Sequence, residues 1–178
     1  MENNVSERDL MHFELLRDNV TSFLDDCASK YDTGGLLLDI APQDHAGARA
    51  CFKKNKIETL DIDPKSNATY IADICSVNKD MLLDDKFDVI VCTEVLEHTL
   101  NPFDAIKEIK RILRKDGLAF FSAPFDFRIH GPLPDCWRIS EYGWRALLKD
   151  GWEILEIKTL ESDRFLMPIH YTIVAKKK

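Results

Sequence analysis

The sequence predicts an α/β fold: a mostly parallel seven-stranded sheet with an antiparallel hairpin at one edge and helices on both faces. Three observations carry that expectation. Short apolar runs alternate with helix-like stretches along most of the chain. Several of the runs are continuously apolar, as in strands buried on both faces. Acidic or polar residues stand where the runs end.

From Ser6 to about Lys30, Leu10, Phe13, Leu16, Val20, Phe23, Leu24 and Cys27 recur at the spacing of a helix with one buried face, capped by Ser6 and stopped at Gly34-Gly35. Leu36 to Ile40 is the first strand, and Ala46 to about Lys54 a short helix. Ile57 to Ile62 is the second strand, Thr69 to Ala72 a short third, and Phe87 to Thr93 (FDVIVCT) the fourth. Asn101 caps a helix with Pro102 in its first turn. Phe103, Ile106, Ile109, Ile112 and Leu113 form its apolar face, and Gly117 stops it. Leu118 to Ala123 is the fifth strand, followed by an irregular stretch from Pro124 to Pro134. Ser140 opens a helix that Gly151 ends. Trp152 to Thr159 and Ile169 to Ala175 have no helix between them and are expected to pair as the edge hairpin. Tyr142, Trp144, Trp152, Phe120 and Phe121 are expected in the core.

A length of 178 residues fits one domain, 1–178, made of a helical segment over 1–33 and a sheet core over 34–178. A net charge of −7 argues against a nucleic-acid partner. Lys176, Lys177 and Lys178 make the only basic cluster, which reads as a solvated tail. No apolar run approaches the ~20 residues of a membrane span. The polar, acidic start does not read as a signal peptide, so a cytoplasmic location is expected. Cys27, Cys51, Cys75, Cys92 and Cys136 are dispersed without a C-x-x-C pair. They read as reduced thiols serving as small apolar fillers, and no metal site is expected.

In an open parallel sheet, ligands bind beyond the carboxyl ends of the strands, where strand order reverses. Asp39, Asp61, Asp63, Asp73 and Glu94 stand at such ends. Asp61 follows Asp39 by 22 positions, near the spacing of about 20 between a first-loop site and a ribose-binding acid. The other reading is that each carboxylate caps the turn that follows it. His98 and His130 fall on the same edge and suit a general base near neutral pH. Against that, His98 can be a packing residue beside Glu97, and His130 an exposed loop residue. Asp135 and Arg138 can bind a polar acceptor and Trp137 can stack on it; alternatively, Trp137 is a core plug and Asp135–Arg138 a local ion pair. His12 and His170 show no partner, and His45 reads as a surface residue of the first loop.

LLLDIAP, LDIDP, ADI, FDVIVCTEVLEH and LAFFSAP, in this order, resemble a class I S-adenosylmethionine-dependent methyltransferase from Leu36 onward. The resemblance implies a Rossmann-like domain with S-adenosylmethionine as cofactor. It implies Asp39 at the methionine end, Asp61 on the ribose, Asp73 and Ile74 on the adenine, and Thr93 and Glu94 beneath the methionine moiety. PLPDCWRIS is similar to a stretch in a branch of that family associated with sugar or polysaccharide modification, which implies methyl transfer to a hydroxyl of a sugar or glycoconjugate. The first loop departs from the family pattern of Asp-x-Gly-x-Gly-x-Gly. It reads DIAPQDHAG, with Ala41 and Gln43 in place of the first two glycines and Gly47 remaining. That departure leaves a catalytically inactive, methyltransferase-like scaffold as the alternative. No G-x-G-x-x-G is present, which disfavours a dinucleotide oxidoreductase. TEVL after the fourth strand is unlike the Asn-Pro-Pro-Tyr segment of nucleobase amino methylation. With a chain this short, the acceptor pocket must be shaped by the N-terminal helix, by the segment from Pro124 to Arg138, or by a second subunit of a homodimer.

Overall fold

The computed structural model describes residues 5–43 and 46–178. The expected alternation produces one seven-stranded sheet. Its strands are β1 (Gly35–Ile40), β2 (Asn55–Asp61), β3 (Tyr70–Ile71), β4 (Phe87–Thr93), β5 (Leu113–Pro124), β6 (Trp152–Leu160) and β7 (His170–Lys177). They lie in the order β3-β2-β1-β4-β5-β7-β6. The pairs from β3 to β5 are parallel, and β7 runs antiparallel to both β5 and β6. Helix α1 (Glu7–Tyr31) covers one face; α2 (Pro102–Ile112) and α3 (Glu141–Leu147) cover the other.

Side chains alternate across the sheet with the period of two that strands impose. Leu37, Val89, Val91, Phe120 and Val174 face α1, where they meet Phe23, Leu24 and Cys27. Leu38, Ile90, Cys92, Phe121 and Ile173 face α2 and α3, where they meet Ile106, Ile109 and Trp144. Two neighbouring phenylalanines anchor the two layers. Phe120 lies against Tyr31 and Phe52, with centroids 5.7 and 5.8 Å away. Phe121 lies between Trp144 and Trp152, at 6.0 and 5.9 Å.

Local signals account for the helix starts. The Ser6 hydroxyl accepts from the Asp9 N–H at 3.1 Å, Asn101 Oδ1 from the Phe103 N–H at 3.2 Å, and the Ser140 hydroxyl from the Gly143 N–H at 3.3 Å. Several expected ends and faces differ. The helix expected to run to Gly117 stops at Ile112, because Leu113 already pairs with Phe87; the register then resumes at Val89 with Leu118, so residues 114–117 make an irregularity within β5. The helix expected over Ala46–Lys54 is a 3-10 turn, Gly47–Ala50. The third strand shrinks to two residues. The third helix ends at Leu147, and Gly151, at φ +77°, turns the chain into β6. Tyr142, expected in the core, is exposed, as is Phe103. On α1 the buried apolar stripe begins at Leu16, preceded by the buried His12, and Leu10 and Phe13 are exposed, because the first turns of α1 extend toward the loops beyond the sheet. Of the cysteines, Cys27 and Cys92 are the fillers expected, while Cys136 is exposed.

The entry into β1 is fixed by backbone conformation. Gly35 has φ +98°, and a Cβ there would lie 2.5 Å from Asp88 Oδ2. That same oxygen accepts from the Leu36 N–H at 2.7 Å. Gly35→Ala should therefore combine backbone strain with loss of this contact and cost about 2 kcal/mol. Thermal unfolding should show a Tm lowered by roughly 4–8 °C; an unchanged Tm would contradict this account of the turn.

Candidate active site

Strand order reverses between β1 and β4, and a cavity of about 470 Å³ opens there. This is within the roughly 300–1,000 Å³ of small-molecule sites. Its walls come from four places: the loop after β1, the tip of β4, the N-terminal half of α1, and the segment around Phe127–Pro132.

The loop after β1 is built on Asp39. The side chain is 2% exposed, and its Oδ2 accepts from the Ala48 N–H at 2.8 Å. Gly47 passes so close, at φ +52°, that any Cβ would collide with Asp39 Oδ2. The two residues that replace family glycines hold the glycine-type backbone: Ala41 has φ +51° and Gln43 φ +49°. Each left-handed residue with a side chain costs on the order of 1 kcal/mol. Ala41 is held in place by its N–H, which donates to the Leu60 carbonyl at 2.7 Å. The two substituted positions thus keep the left-handed backbone that glycine favours.

No ion pair reaches Asp39 among the described residues. Burial raises its carboxyl from 3.8 to about 6, against the Ala48 N–H and the charge of Arg49.

At the tip of β4, Glu94 has φ +56°. Its carboxylate accepts from the Ser122 hydroxyl at 2.7 Å and lies 2.6 Å from His170 Nε2. His170 Nδ1 in turn lies 2.8 Å from Asn19 Nδ2 on α1. Burial works against the charge on Glu94, but His170 and Ser122 outweigh it and hold its pKa below the ordinary glutamate value. A 3-10 turn, Leu96–His98, follows. Glu97 in that turn is fully buried, and neither carboxylate oxygen has a hydrogen-bond partner among the described residues. Burial and the neighbouring Glu94 push its pKa well above the usual value. His98 Nδ1 lies 2.9 Å from the Pro134 carbonyl.

The irregular segment is organised by Asp135, whose side chain is wholly buried. One carboxylate oxygen accepts from the His130 backbone N–H at 2.8 Å and lies 2.9 Å from His130 Nδ1. Arg138 grips both oxygens, at 2.5 and 2.7 Å. The charge of Arg138 and the His130 N–H overcome burial and push the Asp135 pKa far down. The rings of His98 and His130 meet with centroids 4.9 Å apart.

Of the residues expected at the site, Asp39, Ala41, Thr93, Glu94, His98 and His130 line the cavity. Asp61, Asp63 and Asp73 do not line it. They sit along the adjacent strand tips, where each caps the turn that follows: Asp61 accepts from the Asp63 N–H at 2.9 Å, Asp63 from the Lys65 N–H at 2.9 Å, and Asp73 from the Cys75 N–H at 2.8 Å. Asp61 follows directly on Leu60, whose carbonyl accepts from the Ala41 N–H. Ile74 is a core side chain. Asp135, Trp137 and Arg138, expected to bind the acceptor, lie outside the lining. Asp135 and Arg138 hold the loop and His130, and the Trp137 indole N–H donates to the Thr99 carbonyl at 2.8 Å. His45 lies outside the described residues.

The sequence reading offered the N-terminal helix as one possible wall of the acceptor pocket without naming its residues; Phe13, Arg17 and Val20 line the cavity. The exposed side of an apolar stripe carries no signal that it faces a pocket. The reading missed His12, whose Nδ1 lies 3.0 Å from the Asp126 carbonyl, and the pairing of His170 with Glu94.

An open cavity at the switch point, walled by a tight first loop and a strand-tip carboxylate, defines an α/β enzyme that binds a small cofactor. A family model described as Methyltransferase domain matches residues 11–161. The chain belongs to that family. Among curated relatives, the ubiquinone biosynthesis O-methyltransferase of Pasteurella multocida is 35% identical over 85 residues, which cover 48% of this chain and 31% of that protein. The enzyme of the same description from Glaesserella parasuis is 53% identical over 38 residues, 21% of this chain and 16% of that one. The chain thus matches under a third of the length of these relatives. Among solved structures, an S-adenosylmethionine-dependent methyltransferase from Methanosarcina mazei superposes with a TM-score of 0.60 at 16% identity, over 81% of this chain and 92% of that one. The cyclase SpnF gives 0.69 at 17% identity, over 90% and 80%. These two likenesses establish the fold. No described helix is long and apolar enough to cross a membrane.

Two predictions test the loop. The raised Asp39 pKa means the folded chain binds that proton more tightly than the unfolded chain. Its favourable contribution is complete below about 3.8 and is lost as pH rises through about 6. Asp39→Asn should therefore match the parent stability near pH 4 and exceed it above pH 7 by on the order of 2 kcal/mol, measured by denaturant unfolding across pH. Ala41→Gly should leave Tm unchanged or raised, whereas an ordinary Ala→Gly change lowers stability by about 1 kcal/mol.

Proposed function

We propose that this chain transfers a methyl group from S-adenosylmethionine to a hydroxyl of a small acceptor held between α1 and the Phe127–Pro132 segment. The observation that carries this reading is the meeting, in one cavity, of a buried carboxylate that no ion pair reaches among the described residues and a pair of oriented imidazoles. When bound, the cofactor supplies an electrophilic sulfonium methyl.

The residues fit that group. The buried Asp39 carboxylate lacks the positive charge that an amino-acid ammonium would bring. Ala41, Gln43 and Gly47 bring backbone close to the cavity. Asp61, at the tip of β2, is assigned to the ribose hydroxyls and Asp73, one strand further along, to the adenine; both stand outside the cavity lining, and Ile74 is packed in the core. Thr93 and Glu94 form the floor. Methyl transfer asks mainly for alignment and exclusion of water, and α1 supplies the cover.

The acceptor hydroxyl is assigned to His98 and His130. With their Nδ1 atoms engaged by Pro134 and Asp135, their Nε2 atoms remain to promote loss of its proton. Phe13, Val20 and Phe127 add apolar surface to the cavity lining, which suits an acceptor with one apolar face. A sugar or glycoconjugate presents such a face; so does a phenolic ring, the kind of small acceptor suggested by relatives named ubiquinone biosynthesis O-methyltransferases. An open cavity and the left-handed backbone kept at Ala41 and Gln43 weigh against the scaffold reading.

Calorimetry should show S-adenosylhomocysteine binding at 1:1 and loss of binding in Asp61→Ala. His130→Ala should keep that binding yet lower methyl transfer to sugar and phenol acceptors by roughly 10²–10⁴. A folded protein that binds neither cofactor nor product would sink the reading.

A further inference from the structure

We propose that Glu97, His98 and His130 form a site for a divalent first-row transition cation at the inner end of the cavity. One ligand atom from each residue lies within 4.8 Å of the other two, and His98 Nε2 is 3.9 Å from Glu97 Oε1. Bonds of about 2.0–2.2 Å from nitrogen and carboxylate oxygen to a metal place neighbouring ligands ~3–3.5 Å apart. Side-chain movements of about an ångström would close the set around an ion.

Three further features make this a built site rather than a chance cluster. Glu97 is fully buried with both oxygens unpartnered, although buried polar atoms normally find partners. Each imidazole is oriented from behind. His98 Nδ1 is engaged by the Pro134 carbonyl, and His130 Nδ1 by Asp135, itself clamped by Arg138. This is how metal-binding histidines are commonly held: the outer nitrogen is fixed on a carbonyl or carboxylate and the inner one keeps its lone pair. The turn that carries Glu97 is also tied to the same segment, because its carbonyl accepts from the Cys136 N–H at 2.7 Å.

Two imidazoles and one carboxylate suit zinc, manganese, iron or cobalt better than magnesium or calcium, which prefer all-oxygen shells. Three protein ligands leave coordination positions open, and both histidines line the cavity. A hydroxyl oxygen bound there would lose its proton more readily, the proton passing to solvent while the oxygen keeps its electron pair; with both Nε2 atoms on the ion, the histidines would act through it and not as bases themselves. That use of the ion rests on the methyl-transfer reading; the ion site itself does not. Glu94, already engaged by Ser122 and His170, is left out of the set.

The test is titration of chelator-treated, dialysed protein with Co²⁺, followed by visible absorption and calorimetry. The expected result is 1:1 binding with d–d bands of a nitrogen–oxygen site. Glu97→Gln, nearly isosteric, and His130→Ala should each weaken binding by roughly tenfold or more, with folding checked by circular dichroism. Cys136→Ser should bind as the parent does. Absence of 1:1 binding by the folded parent would overturn the proposal, as would binding that survives both ligand substitutions or disappears in Cys136→Ser. S-adenosylhomocysteine binding measured on the same sample separates the two ideas. Cofactor binding without cobalt binding removes the ion and keeps the methyltransferase reading; cobalt binding without cofactor binding does the reverse.

Discussion

The site hangs on one buried carboxylate. Asp39 is the last acidic group of β1 before the chain turns, and it holds the returning chain through the Ala48 N–H while Gly47 packs directly against it. With the far end of the loop fixed there, Ala41 and Gln43 adopt left-handed backbone in spite of their side chains. Ala41, Pro42, Gln43, Ala46 and Gly47 of this loop form one side of the cavity at the switch between β1 and β4. The strain at Ala41 and Gln43 is tolerable because the surrounding contacts over-determine the path.

Much of the fold was legible in the sequence. Continuous apolar runs such as Leu36–Ile40 and Phe87–Thr93 belong to strands covered on both faces, and the absence of a helix between the last two runs is what pairs β6 with β7. Ser6, Asn101 and Ser140 mark helix starts because capping is a local interaction. Ends decided by tertiary pairing were not legible. Nothing in KRILRKDG says that Leu113 leaves the helix to bond alongside Phe87.

The candidate site was readable along the strand tips and obscure elsewhere. Asp39, Thr93, Glu94, His98 and His130 sit where topology alone would put them. The acidic series divides: Asp39 and Glu94 face the cavity, while Asp61, Asp63 and Asp73 also serve as turn caps. Asp135, Trp137 and Arg138 looked like acceptor ligands because their residue types suit that task. Their partners are protein atoms, a fact that depends on a fold-back of the 124–138 segment that no periodicity encodes. Glu97 carried no sequence signal beyond its place beside His98, since a side chain's lack of partners is visible only in three dimensions.

The hydrogen-bonded row Asn19–His170–Glu94–Ser122 crosses α1, β7, β4 and β5. The cavity floor is thus assembled from segments as distant in the chain as positions 19 and 170, and its shape is inherited from the docking of α1 and the antiparallel strand rather than from the methyltransferase motifs alone. Grafting those motifs onto another sheet would carry over Glu94 but not what keeps its carboxylate in place. In this molecule, the end strand and the first helix are as much part of the pocket as the residues that face it.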